Sequence, residues 1–464
     1  MREYRILIEP FSYIAIRKLD IEKKVNDHGK AEIAIVINDQ WKEEYIEILT
    51  KETWVKIVGV GEGAVHTVLF YGYATDFSFH HNGYETVLEL ELRGGTILMD
   101  AEPHFRIFQN EETLCFDIHE KLIKNYPKAF KIYCQEGSGE KIQGVYIQYK
   151  ETDWEFLKRM TGQSGHYIVP DLLKKGISYT IGLPEGIKRQ VDTNRITIKL
   201  NRGEYMKKLY NGLSFLEAGD MTELVFSDRE IFHLGDYISY GGRKYFIWKI
   251  ETEYKQEEWI HTYYFRTKEG IMTLPIFHEN IVGCSFDGII TQVKKDKVQV
   301  DIEGDEWKGE DGKKWFLYAT VYSSLDGTGW YCMPEVGDRI RLYIPEMERD
   351  SFILSAVHKE TDSARQNPDF KSLKTKYGKE ILFTPDSIIM TNHQGMTVEM
   401  NDKEGISIVS DKDIIIEAED NLTISSENGS LLIGAQDSLQ VKQGGTTMTL
   451  KEDIFFTGGE FRIQ

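Results

Sequence analysis

Beyond Gly378 the chain breaks into short segments that each carry two apolar residues two positions apart. They are Ile388/Met390, Met396/Val398, Ile406/Ile408, Ile414/Ile416, Leu422/Ile424, Leu431/Ile433, Leu439/Val441, Met448/Leu450, Ile454/Phe456 and Phe461/Ile463. The pairs recur at a step of about eight residues, with polar corners such as Asn401 to Gly405 between them, which is the pattern of a β-helix or solenoid. A strand of this kind buries one narrow face, so the pairs must converge on a shared axis. A single-chain coil needs three strands per turn, and ten strands would then stack to only roughly 15 Å. Three intertwined chains place ten strands on each face of a prism and reach roughly 50 Å, with strand edges open only at the ends. The intertwined trimer is therefore the expected arrangement. Its axial core would be Ile406, Ile408, Ile414, Ile416, Leu422, Ile424, Leu431, Ile433, Leu439 and Val441.

Residues 1–278 are strand-rich. Ala31 to Ile37 and Thr86 to Leu92 alternate apolar and polar residues, the period of half-buried antiparallel strands. Gly59 to Gly63 and Asn82-Gly83 read as turns between such strands. Two helices are expected, one near Glu112 to Asn125 and one after Thr152-Asp153-Trp154-Glu155. The latter is a capping box that places Trp154, Leu157 and Met160 on one face. Residues 279–359 hold five short strands, at Gly288 to Gln292, Lys297 to Ile302, Trp315 to Tyr322, Arg339 to Ile344 and Phe352 to Val357. Their size and spacing suit a small closed barrel. Residues 360–378 read as a linker and entry, and residues 379–464 as the repeat. The fold class is mainly β, with barrel domains, a few helices and a trimeric β-helix.

Charge narrows the partners. The 464 residues carry 56 Lys+Arg against 75 Asp+Glu, a net −19, and a polyanion rewards the opposite balance, which argues against nucleic acid and anionic lipid as partners. Met1 to Pro10 lacks the apolar run of a secretory signal, and no stretch approaches the roughly 20 apolar residues of a membrane span. Synthesis and assembly in the cytoplasm follow as the expectation. Cys115, Cys134, Cys284 and Cys332 are too few and too scattered for a disulfide framework or a metal knuckle.

Candidate chemistry is thin. Glu151, Asp153 and Glu155 form a carboxylate cluster, which the capping box and a solvated first turn explain without acid/base work. His80-His81 and His104 lack the spacing of a metal-binding helix. Gly59 to Gly63 lacks the Lys-Ser/Thr of a phosphate loop, and Ser214 and Ser323-Ser324 lack a nucleophile-elbow context. No enzyme, no cofactor and no metal is expected.

Three segments carry a resemblance. Tyr146 to Met160, YIQYKETDWEFLKRM, is similar to the hub segment of contractile injection machines. Met333-Pro334-Glu335-Val336-Gly337-Asp338-Arg339-Ile340 with Asp350-Ser351-Phe352-Ile353-Leu354 resembles the end of their OB-type barrel. Lys374 to Ile381 is similar to the entry into their β-helix. The chain thus resembles valine-glycine repeat protein G (VgrG) of type VI secretion and the hub and spike of contractile phage baseplates. Asp296-Lys297-Val298, where Gly-Arg-Val is common, departs from that pattern, as does the absence of Val-Gly from many repeats.

The resemblance implies a structural homotrimer whose hub of two related barrels sits on a hexameric inner tube, with baseplate proteins around it. The OB-type barrel would lie between hub and spike. It further implies effector cargo and a PAAR-type tip protein seated on Phe461, Ile463 and Gln464, any metal belonging to that partner. Assembly would occur in the bacterial or phage-infected cytoplasm without a signal peptide, and export on contraction. Secretion system, phage and released phage-tail-like particle all fit. The rival from another class is a trimeric tail fibre or polysaccharide-binding β-helix. From Pro385 onward, however, Phe455, Phe456 and Phe461 are the only aromatics, too few for a carbohydrate platform.

Overall fold

A computed structural model describes residues 5–60, 66–126, 129–135, 137, 139–255, 258–308, 312–358 and 367–457. The chain divides into two compact units, Met1–Lys359 and Glu360–Gln464.

The first unit is organised by one 11-stranded sheet. Its order is Arg5–Glu9, Trp54–Val60, His66–His81, Thr86–Gly94, Lys30–Ile37, Ala15–Lys24, Arg243–Lys255, Glu258–Arg266, Thr222–Asp228 and Thr197–Leu200, with Tyr237–Tyr240 paired onto Arg243–Lys255. The two barrels expected of the hub are thus halves of a continuous sheet. They join where Ala15–Lys24 pairs antiparallel with Arg243–Lys255, from Asp20↔Glu253 to Lys24↔Lys249. Each half has its own core. The first gathers Leu19, Ile21, Ile33, Ile35, Val55, Ile57, Phe70, Leu88 and Leu90. The second gathers Leu224, Phe226, Ile247, Tyr263 and Phe265.

The alternating segments form strands as expected, but Lys30–Ile37 is not half-buried. Ala34 and Val36, on the face opposite Ile33 and Ile35, are buried as well. Asn82-Gly83 does turn the chain: the Asn82 side chain accepts from Tyr84 and Glu85 N–H, and Gly83 has a φ of +88°. Gly59 does not belong to a turn. It lies inside Trp54–Val60, where a Cβ would come 2.0 Å from the ring of Trp259, a residue of the other half. Glycine is required there by close approach. Residues 61–63 of that expected turn lie outside the described residues.

The helices exceed the two expected. Cys115–Ile123 and Asp153–Gln163 are present, and so are Lys42–Leu49, Arg202–Tyr210 and the single turn Lys268–Ile271. Asp153–Gln163 starts with the expected capping box, Thr152 accepting from Glu155 N–H and Glu155 from Thr152 N–H. It buries Trp154, Phe156, Leu157 and Met160 against Ile118, Leu122 and Tyr179. His119 is sealed in this core, its ring nitrogens against the Tyr179 hydroxyl (2.9 Å) and Thr161 Oγ1 (3.0 Å), and burial pushes its imidazole down to about 3.

A five-stranded sheet follows, ordered Phe316–Leu317, Lys297–Ile302, Ser285–Lys294, Arg339–Tyr343 and Phe352–Ala356. It closes on itself: Tyr318 bridges Ile353, and Ala319 N–H donates to Ile353 C=O at 2.8 Å. The expected closed barrel is therefore present. Its third strand spans only Phe316–Leu317 rather than Trp315 to Tyr322, because the chain then crosses to the far edge. The Pro334 to Arg339 motif feeds the Arg339–Tyr343 strand. Gly337 N–H donates to Ile290 C=O and Ile290 N–H to Asp338 C=O, both at 2.9 Å.

The second unit begins with an antiparallel meander of Lys371–Lys374, Glu380–Phe383, Ser387–Thr391, Thr397–Asn401 and Gly405–Val409. A second meander joins Leu439–Gln443, Thr446–Leu450 and Ile454–Thr457. The linker expected over residues 360–378 thus ends in a strand paired with its neighbour. No helix among the described residues is long and apolar enough to cross a membrane.

Candidate functional site

Two constructions have functional weight. The first is a buried joint that locks the small barrel to the rest of its unit. Strands Pro103–Phe108 and Tyr146–Thr152 pair with each other and send Ile107 and Ile147 into the barrel core, beside Ile290, Val300, Ile340 and Ile353. Phe105 and Tyr149 pack on Phe286. Barrel carboxylates then clamp hub backbone: Glu348 accepts from Ile147 N–H at 2.6 Å, Asp305 from Ile107 N–H at 3.0 Å, and Glu306 from Phe105 N–H at 3.0 Å.

Arg159 is the centre of this joint. Its guanidinium donates twice to Glu151 (2.7 and 2.8 Å), once to Glu348 (2.8 Å) and once to Ile147 C=O (2.9 Å). Asp153 accepts from Arg106 (2.5 Å), Gln148 (2.9 Å) and Tyr126 (2.7 Å). The expectation of a solvated carboxylate cluster is wrong for Asp153 and Glu151. Asp153 faces inward onto Arg106, and Glu151 onto Arg159 from the helix's second turn, and a buried charge persists only when paired. Glu155 alone keeps its exposed capping role.

The other candidates are satisfied by neighbours. His80 meets Glu89 and Ser78, both at 3.1 Å; His81 meets Thr86 at 2.9 Å; His104 meets Glu306 at 2.9 Å. Ser214 lies on an exposed loop, and Ser323 and Ser324 hold a small hairpin against Gly329 and Thr328. The four cysteines are free thiols, Cys332 exposed. Among the described residues, no group of three His, Cys, Asp or Glu side chains is placed to hold a metal.

The second construction is an apolar ladder that the described residues leave largely uncovered. Directly opposed residues in the first meander share a face. Leu373, Ile381, Met390, Val398 and Ile408 form one row across the five strands, and Phe383, Ile388, Met400 and Ile406 form the next. The opposite face is largely polar: Glu380 meets Lys374 and His393, and Ser387 donates to Glu399 at 2.8 Å. The expected pair Met396/Val398 is corrected to Val398/Met400. Met396 belongs to the hairpin, its carbonyl accepting from Asn392 N–H, and the strand begins at Thr397. In the later meander Leu439 stands opposite Leu450 and Val441 opposite Met448, and the last strand pairs Ile454 with Leu450 and Phe456 with Met448 in backbone register.

Between the meanders lie Ile414, Ile416, Leu422, Ile424, Leu431 and Ile433. They form no strand within the chain, so three of the ten expected strands are absent from it. These side chains are 53–62% exposed, and from Lys412 to Ser438 no backbone–backbone hydrogen bond joins described residues. Among the described residues of this unit, Ser387 alone is buried. Of the expected axial core, Ile406 and Ile408 stand on the ladder, Leu439 and Val441 on the second meander, and the remaining six on the unpaired stretch. Phe461, Ile463 and Gln464 lie outside the described residues. The ladder residues Leu373, Ile381 and Phe383 were not anticipated. Their period-two spacing in Lys371–Phe383 is the signal that would have found them.

No family model and no curated protein sequence matches the chain. Solved structures do. An E. coli protein, c3393, described as a type VI secretion component with structural similarity to T4 bacteriophage tail proteins gp27 and gp5, superposes with a TM-score of 0.54 at 14% identity, over 76% of this chain and 100% of that one. Francisella VgrG in its complex with PdpA superposes with a TM-score of 0.57 at 12% identity in a half-lidded form, over 88% of each chain. In a lidded form the score is 0.59 at 11% identity, over 88% of this chain and 80% of that one. The chain has the VgrG fold of type VI secretion, the fold its hub and barrel motifs resemble.

Proposed function

We propose that three copies of this chain form the hub and spike of a contractile injection machine, with the second unit completing its fold only in the trimer. The observation that carries the reading is the apolar ladder. A unit with one buried residue among those described and two long rows of mostly exposed Ile, Leu, Met and Phe has no core of its own. Its unpaired backbone from Lys412 to Ser438 needs strands from elsewhere. Sister copies supply both needs at once, because the same pattern recurs in each.

In this reading the hub seats on a hexameric inner tube among baseplate proteins, and sheath contraction drives the spike through a target envelope. The role is mechanical, without catalysis, cofactor or nucleic acid. The joint at Arg159 keeps barrel and hub from parting under load. Phe461, Ile463 and Gln464 form the seat of a PAAR-type tip protein, and effectors travel as cargo; a complex of VgrG with PdpA among the neighbouring structures supports binding of a further protein. Assembly precedes export, inside the producing cytoplasm.

The deciding measurement is the mass of the purified protein by light scattering. A particle of three 53.8 kDa chains is expected; a stable single chain at micromolar concentration would end the proposal. Removing Thr446 to Gln464 should leave the trimer intact and abolish retention of the tip protein in a pull-down.

A further inference from the structure

The strand Ala15–Lys24 turns Leu19, Ile21 and residue 23 toward the interior of the first unit, and residue 23 is a lysine. An ammonium at a core-facing strand position needs a reason. Lys23 is 7% exposed, and among the described residues its ammonium has no hydrogen bond or ion pair. It lines a cavity of about 560 Å³, whose other walls include Val169, Leu172, Leu234, Thr180 and Gln135.

The two neighbouring aspartates are otherwise engaged. Asp171 gives Oδ2 to Lys174 (2.7 Å) and Oδ1 to Leu173 N–H (3.1 Å). Asp236 gives Oδ2 to Arg189 (2.7 Å) and Oδ1 to Ile187 N–H (2.9 Å). Burial and the Lys23 charge hold the His233 imidazole below its usual value, which disfavours a second positive charge beside Lys23. Glu185 lies at the exposed rim and makes no ion pair with Lys23. What remains is one cation that no hydrogen bond holds, on the wall of a chamber that mixes apolar residues with charged ones and has the size that holds a small ligand.

From this we infer that the cavity is a binding site for a carboxylate carried on a short apolar chain, with Lys23 as its anchor. The walls accept the aliphatic part, and Thr180 and Gln135 offer additional donors. The same chemistry is presented by a free short-chain carboxylic acid and by a glutamate side chain of an inserted peptide. The inference stands apart from the trimer reading, since every wall residue belongs to the first unit.

The test uses the full chain. Calorimetric titrations with hexanoate, with its neutral isostere hexanamide, and with the blocked peptide acetyl-Leu-Glu-Leu-amide are expected to show binding by at least one carboxylate. Hexanamide should bind at least tenfold more weakly than hexanoate if the free acid is the ligand. The Gln-containing peptide should lose the same factor if the peptide is. Binding of hexanoate alone assigns a free acid, and of the peptide alone an acidic segment of a partner. Lys23→Met should lose at least tenfold while Lys23→Arg retains most of the affinity. A readout on the unsubstituted protein guards against misfolded variants: the bound carboxylate should protect Lys23 from an amine-acylating reagent, scored by peptide mass spectrometry. Absence of binding by both carboxylates, equal binding of the neutral isosteres, or unchanged Lys23 acylation would each overturn the assignment.

Discussion

The two units of this chain handle apolar surface in opposite ways. Met1–Lys359 packs Ile, Leu, Val and aromatic side chains into several cores and pairs nearly all of its buried charges, as at Arg159 with Glu151 and Glu348. Glu360–Gln464 displays residues of the same chemistry in orderly rows and covers almost none of them. Hydrophobic content alone therefore does not make a core. A five-stranded meander with one apolar face is half of a structure, and the other half must come from outside it. The first unit buries its apolar residues within itself, and the second, among its described residues, does not.

The contrast can be broken most sharply in the unpaired stretch between the two meanders. Ile416→Asp or Ile424→Asp places three charges on one axial layer of a trimer, at several kcal/mol each for a buried unpaired carboxylate. Loss of the trimer on sizing, with the hub's circular dichroism unchanged, is expected; an unaltered trimer would refute the intertwined core. The same substitution in the first unit, Ile57→Asp, should instead unfold the hub.

Next in size is the joint. Arg159→Met removes the guanidinium that Glu151 and Glu348 share inside the joint, with an expected loss of about 3–5 kcal/mol in the urea unfolding of the first unit and no change in the number of chains per particle. A coupled effect on assembly would show that the two units are less independent than proposed.

Thr152→Ala removes the cap of Asp153–Gln163 and should cost about 1 kcal/mol in the same assay. The smallest effect concerns pH. Burial pushes the Lys23 ammonium down to about 8, against 10.5 ordinarily, with Asp171 opposing the shift. Between these values the unfolded chain holds more protons than the folded one, so this group makes stability rise with pH across that window. Lys23→Met should lack that slope when urea midpoints are compared from pH 8 to 10.

The pattern of residues made much of this legible. The period-two runs at Lys30–Ile37 and Thr86–Gly94, the capping box at Thr152 and the five barrel strands all follow from neighbours in sequence. The paired apolar residues beyond Gly378 likewise announced a surface that a single chain leaves open. What was misread depended on distant contacts. Gly59 reads as a turn residue until Trp259 is found against it. Asp153 reads as a solvated first-turn acid until Arg106 is found beneath it. Lys42–Leu49 and Arg202–Tyr210 carry weak amphipathic signals and gain their place from packing and capping.

Local alternation and turn chemistry act over a few residues, so strand identity, hairpins, the helix cap and the apolar repeat could be read from the chain directly. The union of two half-sheets through Asp20↔Glu253, the sharing of one core by Ile107, Ile147 and the small barrel, and the isolation of Lys23 in its cavity could not. Those features join residues one to two hundred positions or more apart. They arise because burial and charge pairing are satisfied in three dimensions, where sequence separation sets no limit on who meets whom.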